Sequence, residues 1–462
     1  MMNYALRMLA DHHRRLAALL RAAMPSESVA FLLCRRAEGH GAVILLADEV
    51  VEVDASDYVR RGEDIASVTP LAMARVAQAA RIKGRVIVMA HLHPMTESGV
   101  EFSMADHIGN QRSFGFFHRR VPQAEHVALV WNARVDECRA VAYDRTGTAI
   151  DMTSVVVVDD DQWRQFVPSP ERRQARFDRQ ALLLGRSGQE MLGTLNVAVA
   201  GLGGTGSLTS LALVHHGVRK LLLLDDQVLD ETNMPRVPAC KPTDVGHLTK
   251  VEIAKNYVYS HAPDAKVEAL PINVESDEAR PYLIEADVVV ICTDNTTSRA
   301  YLNQLAQQYL IPVLDLGVQF SINDQGKVTN EIGRINLVRP GSPCLWCTGH
   351  INPARLAAES VPAAERDRAD SYLRGFDDPQ PSMLAFNMEV VGRGIQHLVG
   401  FVTGLFFQPS EVFEQRTFLT QKGGSLARLV TKGHRDGCPV CGEAGAVGLG
   451  SDVPMSIRQR AA

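Results

Sequence analysis

The run Gly201-Leu202-Gly203-Gly204-Thr205-Gly206 follows the apolar stretch Val197–Ala200 without a break. A G-x-G-x-x-G run in that place requires a strand, a tight turn, and a helix whose first amides face a phosphate. Further apolar runs at Leu221–Leu224, Val288–Cys292 and Val313–Leu316 are separated by stretches long enough for helices. That alternation predicts a parallel, doubly wound α/β sheet. Taken alone, the glycine run also fits a dinucleotide-binding unit in which Asp225, at the end of the next strand, binds an NAD ribose.

A second chemistry lies about a hundred residues upstream. His91-Leu92-His93-Pro94 closes the run Arg85–Ala90, and Ser103-Met104-Ala105-Asp106 follows within a short loop. Histidines at i and i+2 on a strand share a face. Ser103 reads as a helix N-cap, which puts Asp106 in the first turn. Two imidazoles and one carboxylate, with a fourth position open, form the usual ligand set of a catalytic zinc. The alternative is a pair of ordinary strand-end histidines. Around this motif the pattern predicts an amphipathic helix over about 3–23, with Leu6, Leu9, Leu16, Leu19 and Leu20 on one face. Strands are expected over 29–34, 42–47, 50–53, 127–131 and 140–143, with a helix over 71–82.

The stretch from Asp159 to Arg173 is charged and contains Pro168 and Pro170, so it reads as a linker. The expected organisation is a first domain over 1–155, a linker over 156–171, a second domain over 172–442, and a small, polar, flexible tail over 443–462. Two or three domains suit 462 residues. A net charge of -5 gives no basic footprint for nucleic acid. No apolar run reaches the roughly 18 residues of a membrane span. The N-terminus carries Asp11 and repeated arginines, so it lacks a signal-peptide core, and a cytoplasmic location is expected. Four of the eight cysteines fall in two C-x-x-C pairs, Cys344/Cys347 and Cys438/Cys441. Such pairs point to a structural zinc and a reducing compartment. Cys34 and Cys138 read as ordinary buried or surface thiols.

Two family resemblances rest on these residues. Glu27, at the entry to the first expected strand, then His91-x-His93-Pro94 and Ser103-x-x-Asp106, resemble the JAMM (MPN-type) metalloproteases over about residues 1–150. The segment between His93 and Ser103 is two residues longer than that family's usual spacing. The resemblance implies a cytidine-deaminase-like α/β fold and cleavage of peptide or isopeptide bonds after ubiquitin-like C-termini. It also implies Glu27 as general base and Ser103 as hydrogen-bond donor to the oxyanion, with zinc on His91, His93 and Asp106.

The second resemblance joins Arg176-Phe177-Asp178-Arg179-Gln180, the glycine run, Asp225, Asn233-Met234-Pro235-Arg236, Lys250 and Cys292-Thr293-Asp294-Asn295 with Arg299. Together they resemble the ThiF/MoeB adenylyltransferases, the family of ubiquitin-activating enzymes, over about residues 172–442. The resemblance implies a Rossmann-like fold with a tetrathiolate zinc. ATP would lie on the amides around Gly201, Gly203, Gly204 and Gly206. It assigns Asp225 to the ribose, Asn233, Arg236 and Lys250 to the triphosphate, and Asp294 to Mg2+. Arg179 would reach into the partner subunit's site, which implies a homodimer. The expected partner is a ubiquitin-like or sulfur-carrier protein, with a ubiquitin-conjugating-like protein as a further candidate. Three functions fit: a bifunctional enzyme of a bacterial-type ubiquitin-like pathway, a sulfur-carrier activator whose protease trims the carrier, and a non-catalytic scaffold for ubiquitin-like tails.

Overall fold

A computed structural model describes residues 2–122, 124–158, 162–166, 175–323, 325–359, 361, 381–405, 413–419, 424–429 and 433–456. The chain divides into two compact units. The first comprises Met1–Asp159, Trp163–Pro170 and Gly448–Val453, and the second comprises Asp160–Gln162, Glu171–Val447 and Pro454–Ala462.

In the first unit the strands are β1 (Asn3–Leu9), β2 (Val29–Glu38), β3 (Ala42–Val51), β4 (Tyr58–Arg61), β5 (Ala66–Val68), β6 (Val86–His93), β7 (His126–Asn132), β8 (Cys138–Tyr143), β9 (Ala149–Asp151), β10 (Ser154–Val158) and β11 (Trp163–Gln165). Nine of them form one sheet in the order β11-β10-β1-β3-β2-β6-β7-β8-β9. The helix Ala10–Arg21 lays Leu16 and Leu20 on one face, against Leu6, Met8 and Leu32. The helices Pro70–Lys83 and Met104–Arg120 cover the other face, where Val76, Ala80, Phe114 and Phe117 meet Phe31, Leu33 and Ile87.

Several expectations are corrected here. The helix expected over 3–23 begins only at Ala10, because residues 3–9 form β1, parallel to both β3 and β10. This strand lies inside the sheet and is covered on both faces, so Tyr4 to Met8 are all buried and carry no clear period. The strands expected at 42–47 and 50–53 are one strand with a register shift opposite Leu33/Cys34. The residue set out of register, Asp48, bonds both Arg35 and Arg85. Residues 154–158 and 163–165, partly assigned to the linker, complete this sheet, while 159–161 and 167–174 lie outside the described residues. Residues 443–456, expected as a flexible tail, are tied down at several points. Within the first unit Asp452 meets Arg35 at 2.8 Å, and within the second Gln304 donates to Pro454 O at 3.1 Å.

The second unit is built on an eight-stranded sheet: β12 (Asn196–Ala200), β13 (Lys220–Leu224), β14 (Lys266–Leu270), β15 (Val288–Ile291), β16 (Val313–Ile322), β17 (Val328–Val338), β18 (Phe413–Leu419) and β19 (Gly424–Leu429). The order is β14-β13-β12-β15-β16-β17-β18-β19. The first five are parallel and the last three antiparallel additions. The strand order therefore reverses between β12 and β15. Outside the carboxyl ends of strands at such a switch point, open α/β sheets bind their ligands.

Candidate functional site

In the first unit the metal-type cluster is assembled by register. β2 runs antiparallel to β6 with Val29 opposite His91, so Glu27, two residues before Val29, arrives beside His93. Its Oε1 lies 3.8 Å from His93 Nε2. The hairpin β4–β5 fixes the Glu27 backbone: Glu27 N–H donates to Gly62 O at 2.6 Å, and Arg61 Nε donates to Glu27 O at 3.0 Å. Ser103 caps the Met104–Arg120 helix in a capping box. Its Oγ accepts from Asp106 N–H at 3.1 Å, and its own N–H donates to Asp106 Oδ2 at 2.7 Å. That box turns the Asp106 carboxylate toward the histidines.

His91 Nε2 lies 3.1 Å from Asp106 Oδ1, His93 Nε2 lies 3.1 Å from Asp106 Oδ2, and the two Nε2 atoms are 3.3 Å apart. Tetrahedral zinc with ligands at 2.0–2.2 Å needs neighbouring donors about 3.3 Å apart, so these residues fit the ion. Burial opposes ionisation of Asp106, yet the hydrogen bonds from His91 and His93 outweigh it and hold its carboxyl far below the usual range. Burial pushes Glu27 the other way, up to about 7, against the opposing pull of His93. With nine residues between His93 and Ser103, Asp106 still stands 3.1 Å from both histidines. The loop is held at Gly99, whose N–H meets both Glu137 oxygens at 2.9 Å.

In the second unit Cys344, Cys347, Cys438 and Cys441 present their sulfurs within 4.8 Å of one another. Cys344 and Cys438 Sγ are 3.8 Å apart, and Cys347 and Cys441 Sγ are 3.4 Å apart. A zinc tetrathiolate with bonds near 2.3 Å requires about 3.8 Å between sulfurs. The four cysteines fit a structural zinc.

The glycine loop lies at the switch point between β12 and β15. Gly201 has φ +86°, and a Cβ on it would stand 2.9 Å from Thr293 N, on the loop after β15. The helix Gly204–His215 starts in the loop. Asp225 accepts from Leu202 N–H at 2.6 Å and from Gln227 N–H at 3.0 Å. Burial raises its carboxyl, and the nearby Lys250 opposes this. Lys250 is buried and bonds Gln227 Oε1. Arg236 packs over Gly204, with its Cβ 3.3 Å from where a Cβ would be. Asn233 is buried one turn before Arg236, whose N–H donates to Asn233 O at 3.0 Å. Asp294 is exposed, just past Thr293, and its carbonyl accepts from Arg355 Nη2 at 3.3 Å. Arg179 is exposed in the first turn of the helix Asp178–Thr194, which also shows Leu182 and Leu183 to solvent.

Sequence reasoning missed two members of this region. Asn387, on the helix Leu384–Thr403, approaches so closely that a Cβ on Gly204 would lie 2.4 Å from its Nδ2. Glu359 places its carboxylate on the N-terminus of the helix Thr296–Gln308, accepting from Thr296 N–H and Thr297 N–H, each at 2.8 Å. Neither sits in a motif. Only tertiary packing brings them in. Two further thiols lie in this unit. Burial and Asp244 push the Cys240 thiol up, and burial pushes that of Cys292 up to about 12.

Fold and site thus define a doubly wound α/β unit with a glycine loop at its switch point and a four-cysteine cluster that could hold a zinc. The model of the ThiF family matches residues 177–414, more than half of the chain, and the chain belongs to that family. It is 29% identical to the SAMP-activating enzyme E1 of Haloferax volcanii over 174 residues, 37% of this chain and 60% of that one. It is 28% identical to the molybdopterin-synthase adenylyltransferase of Escherichia coli over 183 residues, 39% of this chain and 70% of that one. With the adenylyltransferase and sulfurtransferase UBA4 of Meyerozyma guilliermondii it shares 34% identity over 116 residues, 25% of this chain and 27% of that one. The chain thus spans about a quarter of UBA4 and three-fifths of the Haloferax enzyme. A solved structure of E. coli MccB is similar over 60% of this chain and 77% of that one, with a TM-score of 0.46 and 19% identity. Among the described residues, no helix is long and apolar enough to cross a membrane.

Proposed function

We propose that the second unit adenylates the C-terminal carboxylate of a ubiquitin-like or sulfur-carrier protein, and that the first unit hydrolyses the bond that follows such a C-terminus. The first half of this reading is carried by the convergence of the glycine loop, Asp225, Lys250 and Arg236 at the switch point of a ThiF-family sheet. In adenylation a carboxylate oxygen attacks the α-phosphorus of ATP. The bond from that phosphorus to the bridging oxygen breaks, and pyrophosphate leaves. Both reactants are anionic, so the site must supply fixed positive charge along the phosphates. The amides around Gly203, Gly204 and Gly206 and the helix N-terminus cradle phosphate. Arg236, Lys250 and Asn233 hold the triphosphate, Asp225 the ribose, and Asp294 is the ligand for Mg2+. Arg179, near exposed Leu182 and Leu183, acts across a homodimer in the partner subunit's site.

The segment from Thr348 to Ser382 contains no cysteine, and Cys240 and Cys292 are disfavoured as thiolates. The acyl-adenylate therefore goes directly to an external nucleophile: a partner's thiol, a sulfide or an amine. ATP–pyrophosphate exchange with a candidate ubiquitin-like protein tests this. Exchange should vanish in Asp294→Ala, and tight NAD binding without exchange overturns the reading.

The proteolytic half rests on the approach of Glu27 to His93 beside the His91–His93–Asp106 cluster. Zinc held there supplies a Lewis acid and a water whose pKa falls to about 7. Glu27 takes the proton of the attacking water and passes it to the leaving amine. Ser103 accepts from the Asp106 N–H and keeps its own hydroxyl proton to donate to the oxyanion. Zinc-dependent cleavage of a ubiquitin-like fusion, abolished by Glu27→Ala, is the test.

A further inference from the structure

At the carboxyl edge of the second sheet two arginines, Arg299 and Arg334, share one nearby carboxylate, that of Asp315. Arg299 Nε donates to Asp315 Oδ1 at 3.0 Å, and Asn336 Nδ2 donates to Asp315 Oδ2 at 2.9 Å. Those contacts engage both oxygens of the buried Asp315, which also attracts Arg334 without an ion pair between them. Arg355, the third guanidinium nearby, is engaged by Glu359 at 3.0 Å. Arg334 makes no direct ion pair among the described residues, and its Nε is shielded from solvent and unpaired. Burial is the main force lowering its guanidinium, to about 10, and Arg299 adds to it. A desolvated cation beside a second cation is costly unless an anion joins them.

The geometry shows where that anion would sit. Nη2 of Arg334 and Nη2 of Arg299 lie 3.3 Å and 3.4 Å from where a Cβ on Gly317 would stand. Both Nη2 atoms therefore converge over Gly317, which has no side chain to come between them. Asp315 is opposite Ile291, the last residue of β15, so Gly317 lies two residues beyond that strand's end. It stands level with the Thr293 loop that abuts Gly201. We infer that Arg334, with Arg299, binds the terminal carboxylate of the acyl substrate and aims it at the nucleotide. This rests on the adenylation reading above. Paired guanidinium forks match the planar, two-oxygen carboxylate. The phosphates already have the loop amides, Arg236 and Lys250, a set that leaves the carboxylate without a cation.

The test uses the full chain, with glycylglycine as a minimal carboxylate probe and glycylglycinamide as its uncharged counterpart. Thermal midpoints and ATP–Mg2+ affinity by calorimetry are measured on wild type, Arg334→Met and Arg334→Lys. Glycylglycine, and not the amide, should raise the wild-type midpoint. Arg334→Met should abolish that response and, with the desolvated charge gone, raise the ligand-free midpoint by about 2–4 °C. Its ATP affinity should stay within about threefold of wild type, and Arg334→Lys should keep part of the glycylglycine response. A merely structural arginine would instead lower the ligand-free midpoint on truncation, which overturns the inference. So does a wild type indifferent to glycylglycine, or a tenfold loss of ATP affinity in Arg334→Met. If wild type binds no ATP at all, the adenylation reading itself fails. ATP binding without a glycylglycine response removes the inference alone.

Discussion

Gly206 stands so close over Gly201 that a Cβ on it would lie 1.7 Å from the Gly201 carbonyl oxygen. The loop can turn only if both positions lack side chains, since Gly201 also has positive φ. Gly203 is different: a Cβ there meets nothing within 4 Å. Gly206→Ala should therefore weaken ATP–Mg2+ binding by roughly tenfold or more, because the backbone must shift where the phosphates bind. Gly203→Ala should change it by less than about threefold. Calorimetric titration of the two variants checks this, and equal affinities would remove the loop from the nucleotide site.

The four sulfurs tie residues 344–347 to residues 438–441, about 90 positions later in the chain. A metal that closes so long a loop contributes its binding free energy to folding. Cys441→Ser should lose one equivalent of zinc and lower the thermal midpoint by several degrees. Metal analysis alongside calorimetric melting decides it. A variant that keeps the wild-type zinc content and midpoint would show the cluster to be four plain thiols.

The two sites differ in how far the sequence revealed them. His91, His93, Ser103 and Asp106 were legible because strand alternation and helix capping are local rules, and both act within 16 residues. The glycine loop and the first parallel strands were legible for the same reason. The strand β1 was not. Its alternation is masked by burial on both faces, and its leucines merge in spacing with those of the helix that follows. Strand β10 lies far along the chain from the β1 edge it joins, and no local signal records that pairing. Asn387 and Glu359 reach the nucleotide region only through tertiary contacts. Arg334 was unremarkable in sequence because only the pairing of β16 with β17 brings it beside Gly317 and Arg299.

The His126 side chain is fully buried, and its two ring nitrogens are engaged differently. Nδ1 accepts from Ile87 N–H at 3.1 Å, and Nε2 donates to Val121 O at 3.1 Å. A second proton would have to replace the Ile87 bond. Burial, with His118 adjacent, lowers its pKa from 6.5 to about 4. Between those values the unfolded chain takes a proton that the folded chain refuses, so stability falls as pH drops from about 6.5 to about 4. The loss from this residue is on the order of 3 kcal/mol. Urea unfolding at stepped pH should show that slope in wild type and a shallower one in His126→Gln. Identical slopes would assign acid sensitivity elsewhere.

Glu27 and Asp106 both approach the histidine pair but are expected to fail differently when altered. Asp106 completes the ligand set and its helix's capping box, so Asp106→Ala should lose zinc and also about 1 kcal/mol of stability from the lost cap. His91→Ala should lose zinc without the capping penalty. Glu27 Oε1 stands 3.8 Å from His93 Nε2, outside the cluster of three ligand atoms, so Glu27→Gln should retain zinc. It should still lose cleavage of a ubiquitin-like fusion by roughly a hundredfold or more, because the amide cannot carry the proton from water to the leaving amine. Zinc content and cleavage rate, measured on the same preparations of the full chain, separate the roles. Loss of zinc in Glu27→Gln would make Glu27 a ligand. Cleavage that survives chelation of the wild type would remove the metal from the reaction, and with it the proteolytic reading of this unit.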